Sequence, residues 1–281
     1  MQRLPDYLKK GIIDTEKTKT VRKILRSNCL NTVCEAARCP NKCECYANNT
    51  ATFLIMGNNC TRNCRFCNIS CAEPEPIDKF EPLKIADAVL KLGLNYVVIT
   101  SVTRDDLFDG GAHHFASVIY EIRKINSEVK IEVLTPDFKG NHNSIDVVID
   151  AGPDVFNHNI ETVPSLYKKA RPQADYYRSL DFLKYIKEKS NILTKTGLMV
   201  GLGETKDELI SVFEDLAKIN CDIVTIGQYI APSKKHLEVA KYYEPSEYQE
   251  LSEIAKKIGI KHTSFSPLTR SSYKAKELFN F

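Results

Sequence analysis

The sequence predicts a parallel α/β fold built from six βα units. From Ala51 onward, short apolar runs alternate with segments of helical periodicity, and glycines or polar turns separate them. The chain has 281 residues, of which 43% are hydrophobic, which is enough to bury the core of one large catalytic domain or two small ones. Six βα units can form an open doubly wound sheet or a partial barrel, and the periodicity leaves that choice open.

The units follow one another in a regular order. Six runs have the length and composition of buried strands: "ATFLIMG", "NYVVITSV", "VKIEVLTP", "PDVFNHNIE", "ILTKTGLMVGLGE" and "CDIVTIGQY". Each is followed by a segment with the period of a helix: "PLKIADAVLKLG", "GAHHFASVIYEIRKIN", "SIDVVIDAG", "DYYRSLDFLKYIKEKS", "TKDELISVFEDLAKIN" and "EPSEYQELSEIAKKIG". This alternation is typical of a parallel sheet covered by helices.

Two segments lie outside the alternation, which gives a predicted division into three parts. Residues 1–50 are polar and cysteine-bearing, with one short helix predicted around Thr20–Ser27 and no strong core pattern. Residues 51–260 carry the βα units. Residues 261–281, "KHTSFSPLTRSSYKAKELFNF", depart from the rhythm and are predicted to form a tail.

Polar motifs follow several of the predicted strands. "TSVTRDD", "NHNIET", "GLGE" and a cysteine loop all come directly after a strand. Because ligands bind at the carboxyl ends of strands in such folds, we expect these motifs to converge on one site.

Charge and hydropathy narrow the functional class. The formal net charge is only +3, which gives little support for a nucleic-acid partner. "MQRLPDYLKKG" lacks an apolar stretch of signal-peptide length, and no run approaches about 18 apolar residues. We therefore expect a cytoplasmic protein with no membrane segment. In that compartment, clustered cysteines more often bind metal or perform redox chemistry than form structural disulfides.

Nine of the ten cysteines fall between positions 29 and 71. In "CTRNCRFC", Cys60, Cys64 and Cys67 have the spacing C-x3-C-x2-C. An iron–sulfur cluster normally takes four cysteines, so three leave one iron open to a small molecule. A zinc site with Cys71 as fourth ligand is the alternative, and the phenylalanine in "RFC" and the position after a strand disfavour it. The isolated Cys221 is expected to pack as a small buried hydrophobe.

"CTRNCRFC" after a first strand resembles the signature of the radical S-adenosylmethionine (SAM) enzymes. That resemblance implies a partial (β/α)6 TIM-like barrel, here with N-terminal and C-terminal extensions. It also implies a [4Fe–4S] cluster held by the three cysteines, with the amino and carboxylate groups of SAM on the open iron. Seven ordered segments resemble the lipoyl synthase family from about Leu25 to Ala275: "VCEAARCPNKCEC", "ATFLIMGNNCTRNCRFC", "TSVTRDDLFDGGAHHF", "FNHNIETV", "GLMVGLGET", "GQY" and "RSSY".

The same resemblance implies a second, auxiliary [4Fe–4S] cluster. Its ligands are Cys34, Cys39 and Cys45, spaced C-x4-C-x5-C, and the second serine of "RSSY", Ser272. A serine oxygen is a harder ligand than a thiolate, which suits a cluster that must be taken apart. For Ser272 alone, an ordinary surface hydroxyl is the commoner case. Arg270 is a candidate to hold the tail through charge-assisted hydrogen bonds.

Three further cysteines depart from the family pattern. Cys43 allows an alternative register, Cys39-x3-Cys43-x-Cys45, and Cys29 and Cys71 are also additional. We interpret Cys29, Cys43 and Cys71 as residues that do not bind iron.

The resemblance also suggests which residues contact SAM. "GLMVGLGE" resembles the glycine motif that supports the adenine, "NHNIE" offers polar groups for the ribose and the methionyl amino group, and an arginine in "DYYRSL" suits the carboxylate. The alternatives are local turn chemistry and a surface helix. His158 has no assigned role, and Asp105 and Asp106 are further candidates for substrate or cofactor. The predicted SAM-binding residues are Asn157, Asn159, Glu161, Arg178, Gly197, Gly201 and Glu204.

The activity implied is the insertion of two sulfur atoms at carbons 6 and 8 of an octanoyl chain. That chain is amide-linked to a lysine of a lipoyl carrier domain, either the E2 subunit of a 2-oxoacid dehydrogenase or the glycine cleavage H protein. These C–H bonds have no acidifying neighbour, so general-base chemistry cannot open them and a cofactor radical is needed. The sulfur is implied to come from the auxiliary cluster. Further implied partners are a ferredoxin or flavodoxin reductant and an iron–sulfur carrier protein.

Two rival functions are considered. Another two-cluster radical SAM enzyme, such as a methylthiotransferase, would lack the "RSSY" tail paired with C-x4-C-x5-C. A non-enzymatic electron-transfer or zinc-binding protein would not cleave SAM, and six βα units are a large scaffold for it.

Overall fold

The chain is described by a computed structural model that covers residues 3–11, 15–48 and 50–279. The strands in chain order are β1 (Asn31–Thr32), β2 (Thr52–Ile55), β3 (Asn59–Cys60), β4 (Ser70–Cys71), β5 (Tyr96–Ser101), β6 (Lys130–Leu134), β7 (Val155–Asn157), β8 (Leu193–Val200), β9 (Ile223–Gln228) and β10 (His262–Phe265). The helices are α1 (Glu16–Ser27), α2 (Val33–Ala36), α3 (Lys42–Ala47), α4 (Glu81–Leu92), α5 (Ala112–Ile125), α6 (His142–Asp150), α7 (Tyr167–Ala170), α8 (Tyr176–Lys189), α9 (Lys206–Lys218), α10 (Pro245–Ile258) and α11 (Ala275–Phe279). All six predicted strands and all six predicted helices are confirmed.

The chain packs into two units. The first unit comprises Lys10–Arg62 and Asn68–Phe156. The second unit comprises Met1–Lys9, Asn63–Cys67 and Asn157–Phe281, as far as these ranges are described. The short segment 63–67 lies inside the cysteine loop, so this loop contributes residues to both units.

In the first unit, β2, β5 and β6 run parallel to one another. Thr52 aligns with Val98, and Tyr96 aligns with Lys130. All four residues of β2 are buried, as expected for a strand with both faces covered. β1 pairs antiparallel with β2 and joins the N-terminal segment to this sheet.

The N-terminal segment contains more structure than the sequence predicted. Helix α1 begins at Glu16, four residues before the predicted start, because Thr15 caps it by accepting a hydrogen bond from the backbone N–H of Thr18 at 3.2 Å. The expectation of no strong core pattern is wrong, since Val21 and Tyr46 are both 0% exposed. The apolar side chains of this segment are too sparse to signal a core until α1 and α3 pack together.

In the second unit, β8, β9 and β10 form a parallel set. Gly197 of β8 aligns with Thr225 of β9, and His262 of β10 aligns with Ile223 of β9. The prediction that residues 261–281 lie outside the alternation is wrong, because β10 is a further parallel strand and α11 a further helix. All four β10 residues are only half-buried, so the run lacks the apolar signal of the other strands.

Asp222 organises the beginning of β9. Its carboxylate is 3% exposed and accepts hydrogen bonds from Lys187 at 2.6 Å, Lys261 at 2.8 Å and the Thr194 N–H at 3.0 Å. Burial alone would raise the pKa of Asp222, but the two lysines and the Thr194 N–H outweigh it and hold the pKa below its usual 3.8.

A search of the described ranges finds no helix that is both long and apolar enough to cross a membrane.

Candidate cluster and cofactor site

Three N-terminal cysteines lie in two neighbouring helices of the first unit and in the turn between them. Cys34 lies in α2, Cys45 lies in α3, and Cys39 lies in the turn between these helices. Burial and the nearby Cys39 raise the pKa of the Cys34 thiol to about 11, against an opposing hydrogen bond from Thr52. Burial, followed by the charges of Cys34 and Cys39, raises the pKa of the Cys45 thiol to about 12. The charges of neighbouring thiols thus add to the effect of burial on the pKa values of Cys34 and Cys45.

The helix geometry separates Cys43 from Cys45. Both lie in α3, two positions apart. Side chains two apart on a helix point away from each other, so Cys43 is directed to a different side of α3. This geometry supports the register Cys34, Cys39 and Cys45.

The remaining additional cysteines are at the surface, and the isolated one is in the core. Cys29 and Cys71 are exposed, and Cys71 aligns with Cys60 in the short parallel pair of β3 and β4. Cys221 is 3% exposed, which confirms its predicted burial. Over residues 3–11, 15–48 and 50–279, no three His, Cys, Asp or Glu side chains are arranged around a single metal-ion position.

The first half of the "CTRNCRFC" loop is fixed to the loop after β5. The Cys60 Sγ atom accepts hydrogen bonds from the backbone N–H groups of Arg62 at 3.4 Å and Thr103 at 3.3 Å. The Thr61 N–H donates to the Thr103 carbonyl at 3.0 Å, and the Asp105 N–H donates to Thr61 Oγ1 at 3.0 Å. These bonds set the position of the first loop cysteine.

Arg62, which the sequence analysis did not single out, anchors this half of the loop. Its guanidinium is 4% exposed and binds both carboxylate oxygens of Asp105, at 2.7 and 2.9 Å. It also donates to Asp137, which is 1% exposed, at 2.6 Å. Asp106, the second acidic candidate after β5, pairs with Arg104 at 2.9 Å. Both candidate carboxylates are thus engaged by arginines of this unit.

The second half of the loop is fixed within the second unit. The Arg65 N–H donates to the Ala170 carbonyl at 2.9 Å, and the Leu237 N–H donates to the Arg65 carbonyl at 3.1 Å. His236 Nε2 lies 3.0 Å from the Cys67 carbonyl oxygen, to which a protonated Nε2 donates. His236 is therefore a further residue of the site that the sequence motifs did not reveal.

The segment "NHNIE" runs alongside β8. The His158 N–H donates to the Lys195 carbonyl at 3.0 Å, and the Glu161 N–H donates to the Gly197 carbonyl at 2.9 Å. The His158 ring is 2% exposed and packs on the Phe182 ring of α8, with ring centroids 4.8 Å apart. The His158 ring is therefore packed in the core against α8.

Two of the predicted SAM-binding residues form a hydrogen bond with each other. Asn159 Nδ2 donates to Glu161 Oε1 at 3.1 Å, while Asn159 Oδ1 accepts from the Ser271 hydroxyl at 2.9 Å. Glu161 has a φ of 64°, in the left-handed region that non-glycine residues seldom adopt. Such strained positions cluster at functional sites. Asn157, also predicted to contact SAM, is 0% exposed.

Arg171 joins this group and was missed by the sequence analysis. It is 9% exposed, and Nη1 donates to the Asn159 carbonyl at 3.0 Å and to the Ile160 carbonyl at 3.3 Å. Burial raises the pKa of Glu161, and the positive charges of Arg171 and Arg270 oppose that rise.

The "RSSY" residues form a turn, closed by a hydrogen bond from the Tyr273 N–H to the Arg270 carbonyl at 2.9 Å. We call residues 270–273 the RSSY turn. Ser271 and Ser272 occupy its two central positions, and Ser272 is half-buried. Arg270 Nη1 donates to the carbonyl of the preceding residue, Thr269, at 2.6 Å, which is a bond within the tail itself.

Two glycines allow the tail to lie against β8 and β9. A Cβ atom on Gly197 would lie 2.8 Å from the Ser271 hydroxyl and 2.9 Å from Asn159 Oδ1. A Cβ atom on Gly227 would lie 1.9 Å from the Thr269 carbonyl oxygen. Gly197, predicted to support the adenine, therefore makes room for the tail in this structure.

The other predicted SAM-binding residues shape local turns. The Glu204 carboxylate accepts from the N–H groups of Gly201 at 2.6 Å, Leu202 at 2.9 Å and Gly203 at 3.1 Å. Gly201 has a φ of 101°, which this tight turn requires. Arg178 lies in the first turn of α8 and donates to the Gln173 carbonyl at 3.4 Å.

Comparisons with known proteins show the fold and the family of the chain. Residues 54–216 match the model of the Radical SAM superfamily. The chain is similar to SuiB of Streptococcus suis, solved with S-adenosylmethionine, at a TM-score of 0.61 and 12% identity; the alignment covers 81% of this chain and 54% of SuiB, so the chain spans about half of that protein. It is also similar to methylornithine synthase, at a TM-score of 0.56 and 11% identity, covering 92% of this chain and 82% of that protein.

Curated relatives are much more similar. Lipoyl synthase of Caldanaerobacter subterraneus subsp. tengcongensis is 54% identical over 274 residues, which cover 97% of this chain and 96% of the relative. Lipoyl synthase of Caldicellulosiruptor saccharolyticus is 53% identical with the same coverage.

The fold and the cysteine loop define a radical SAM enzyme, with the mostly parallel α/β architecture of that superfamily. Within the superfamily, the chain belongs to the lipoyl synthase family.

Proposed function

We infer that this chain is a lipoyl synthase, a sulfurtransferase that inserts two sulfur atoms at carbons 6 and 8 of a protein-bound octanoyl chain. The observation that carries this inference is the presence of two cysteine motifs, C-x4-C-x5-C at residues 34–45 and "CTRNCRFC" at residues 60–67, in a chain 54% identical to a curated lipoyl synthase. One cysteine group serves radical formation, and the other serves sulfur donation. The two rival functions lose their support, since neither belongs to this family.

Unactivated C–H bonds set the chemical requirement. No side chain of the protein can remove such a hydrogen as a proton, so the cofactors carry this step. When bound, two [4Fe–4S] clusters and SAM supply the radical and the sulfur. The chain binds, orients and shields these groups.

We propose that Cys60, Cys64 and Cys67 hold the cluster that binds SAM. Three thiolates suit a cluster with one open iron. Each half of the loop is held by its own polar contact. Arg62 forms an ion pair with Asp105 at 2.7 Å in the first unit, and His236 lies at hydrogen-bond distance, 3.0 Å, from the Cys67 carbonyl in the second. These contacts fix Cys60 and Cys67 each within its own unit, which supports a ligand role for these two cysteines.

We propose that Asn159, Glu161 and Arg171 form part of the SAM-binding region. The strained φ of Glu161 and the burial of Arg171 support a functional role for this segment. Amide, carboxylate and guanidinium groups match the ribose, amino and carboxylate groups of SAM. Asn157, Arg178, Gly197, Gly201 and Glu204 stay predicted contacts, with the local turn roles described above as the competing explanation.

We propose that Cys34, Cys39 and Cys45 hold the auxiliary cluster, with Ser272 as the fourth ligand. The donor set fits, since soft thiolates are the usual ligands of iron–sulfur clusters. Burial and mutual proximity disfavour thiolates when no iron is bound, whereas bound iron ions reverse this preference. The central position of Ser272 in the RSSY turn supports a ligand role, because turn tips present their side chains outward. A serine oxygen then allows the cluster to release sulfur.

The substrate is an octanoylated carrier protein. We further propose that this carrier is a 2-oxoacid dehydrogenase E2 domain or the glycine cleavage H protein, and that the reaction takes place in the cytoplasm. A ferredoxin or flavodoxin would supply electrons, and an iron–sulfur carrier protein would rebuild the spent cluster.

An anaerobic assay tests the proposed function. The protein, reconstituted with iron and sulfide and given a reductant and SAM, should convert an octanoyl-lysine peptide to its lipoyl form. Two 5′-deoxyadenosine molecules should form for each lipoyl group. Iron content near that of one cluster, or SAM cleavage with no sulfur in the product, would contradict the proposal.

A further inference from the structure

Helix α1 carries a concentration of positive charge on one side. Four basic residues are spaced i, i+3, i+4 and i+7, which places them on one side of a helix: Lys19, Arg22, Lys23 and Arg26. We call these four residues the basic stripe. Lys19, Lys23 and Arg26 are exposed, and Arg22 is half-buried. Together with Ser27 they line an open cavity of about 600 Å³.

The charge of α1 exceeds the net charge of the whole chain. The helix contains five basic residues and one acidic residue, a balance of +4, against +3 for all 281 residues. The acidic residue, Glu16, pairs with Lys19 at 2.7 Å, but both side chains are exposed and such a pair is weak. Elsewhere, basic residues are mostly interleaved with acidic ones.

The basic stripe lies next to the segment proposed to hold the auxiliary cluster. Helix α1 packs against α3, which carries Cys45. Lys10, just before α1, forms an ion pair with Glu44 of α3. A protein bound at α1 would therefore lie close to α3, part of the segment proposed to hold the auxiliary cluster.

We propose that the basic stripe docks an acidic surface of the octanoylated carrier domain. This inference rests on the proposed function, because only then must a carrier protein reach the auxiliary segment. Complementary charges raise the association rate and orient the partner. The stripe extends about 10 Å along the helix, which suits one patch of a small domain. A nucleic acid or an anionic membrane is the competing occupant.

Charge reversal with two substrates tests the proposal. The variant Lys19→Glu/Lys23→Glu/Arg26→Glu is compared with Lys184→Glu/Lys256→Glu/Lys257→Glu, which makes the same change in net charge on exposed residues of α8 and α10. The substrates are octanoylated H protein and an uncharged octanoyl-lysine peptide, both with the reconstituted enzyme. A milder variant, Lys19→Gln/Lys23→Gln/Arg26→Gln, guards against a folding defect.

We expect the charge-reversed α1 variant to raise KM for octanoylated H protein about tenfold, with kcat and the peptide KM unchanged. The glutamine variant should give a smaller rise in the same direction. The dissociation constant of fluorescently labelled octanoylated H protein should rise in parallel, and its salt dependence should weaken. The α8/α10 control should leave all of these values within about twofold.

Several results would overturn the proposal. An unchanged dissociation constant for H protein would do so, as would an equal change in the α8/α10 control. A KM that rises equally for peptide and carrier would mean that the site itself was disturbed. Lost binding to phosphatidylglycerol vesicles or duplex DNA, with carrier affinity intact, would assign the stripe to that ligand. If the unmodified enzyme converts neither substrate, the proposed function fails, while the H protein titration still tests docking.

Discussion

Replacing Gly227 by alanine tests how the RSSY turn is positioned. The new Cβ atom would lie 1.9 Å from the Thr269 carbonyl oxygen and 2.9 Å from Arg270 Nη1. Moving the carbonyl from 1.9 Å to the 3.4 Å of an ordinary contact requires a shift of about 1.5 Å. That shift moves the backbone just before Ser272. Misplacing a reacting group by about 1 Å can cost roughly a hundredfold in rate.

We therefore expect Gly227→Ala to lower lipoyl formation about a hundredfold. Cleavage of SAM should persist, so deoxyadenosine would form without lipoyl product. Overpacking of this kind costs roughly 1–3 kcal/mol, and a thermal melt of the protein measures whether the fold survives. The matched control is Gly11→Ala, whose Cβ atom would meet nothing within 4 Å. If a folded Gly227→Ala protein forms lipoyl groups as fast as this control, the contact of the tail with β9 is not needed for sulfur insertion.

Four further predictions concern the ligands and the stability of the second unit. Cys64→Ala should retain the iron of the auxiliary cluster but form no deoxyadenosine; any deoxyadenosine above background would refute the ligand assignment. Cys43→Ser should leave the iron content of the protein nearly unchanged, while Cys45→Ser should lower it by the iron of one cluster. The reverse pattern in an iron assay would mean that the register is wrong. Ser272→Ala should uncouple SAM cleavage from sulfur insertion, and Ser272→Cys should hold the cluster more firmly with poor sulfur transfer; unmodified lipoyl rates in both would reduce this residue to a surface hydroxyl. Because the folded-state pKa of Asp222 is lowered, its ionised form stabilises the fold above about pH 4, and this contribution is lost as the pH falls through the folded-state value. Urea unfolding measures the difference in the free energy of unfolding between the unmodified protein and Asp222→Asn. This difference should stay constant from about pH 7 to 5 and become smaller below about pH 4, and a difference that grows in acid would contradict the linkage.

Local patterns in the sequence were sufficient for the main fold. The predicted strands from β2 to β9 are largely buried stretches, most of them apolar, and each following helix has an apolar face. β10 escaped detection because its residues are half-buried and give no apolar run. The N-terminal core escaped because it depends on sparse residues such as Val21 and Tyr46 from different helices.

The candidate site was also predictable only in part from the sequence. The cysteines could be predicted because their spacing is local and distinctive. Arg62 and Asp137 are 75 positions apart, and His236 and Cys67 are 169 apart, so no motif links them. Gly197 had a plausible cofactor role from its motif, and only the folded chain brings Ser271 to within 2.8 Å of its missing Cβ position.

The central claim is that the cluster held by Cys34, Cys39 and Cys45 donates the sulfur. The most direct measurement is mass spectrometry of the product after the auxiliary cluster is reconstituted with ³⁴S-sulfide and turned over once in unlabelled buffer. We predict lipoyl groups that carry two ³⁴S atoms, and no labelled product from a Cys39→Ser protein prepared in the same way. Product containing only unlabelled sulfur, or label that persists in the Cys39→Ser protein, would contradict the account.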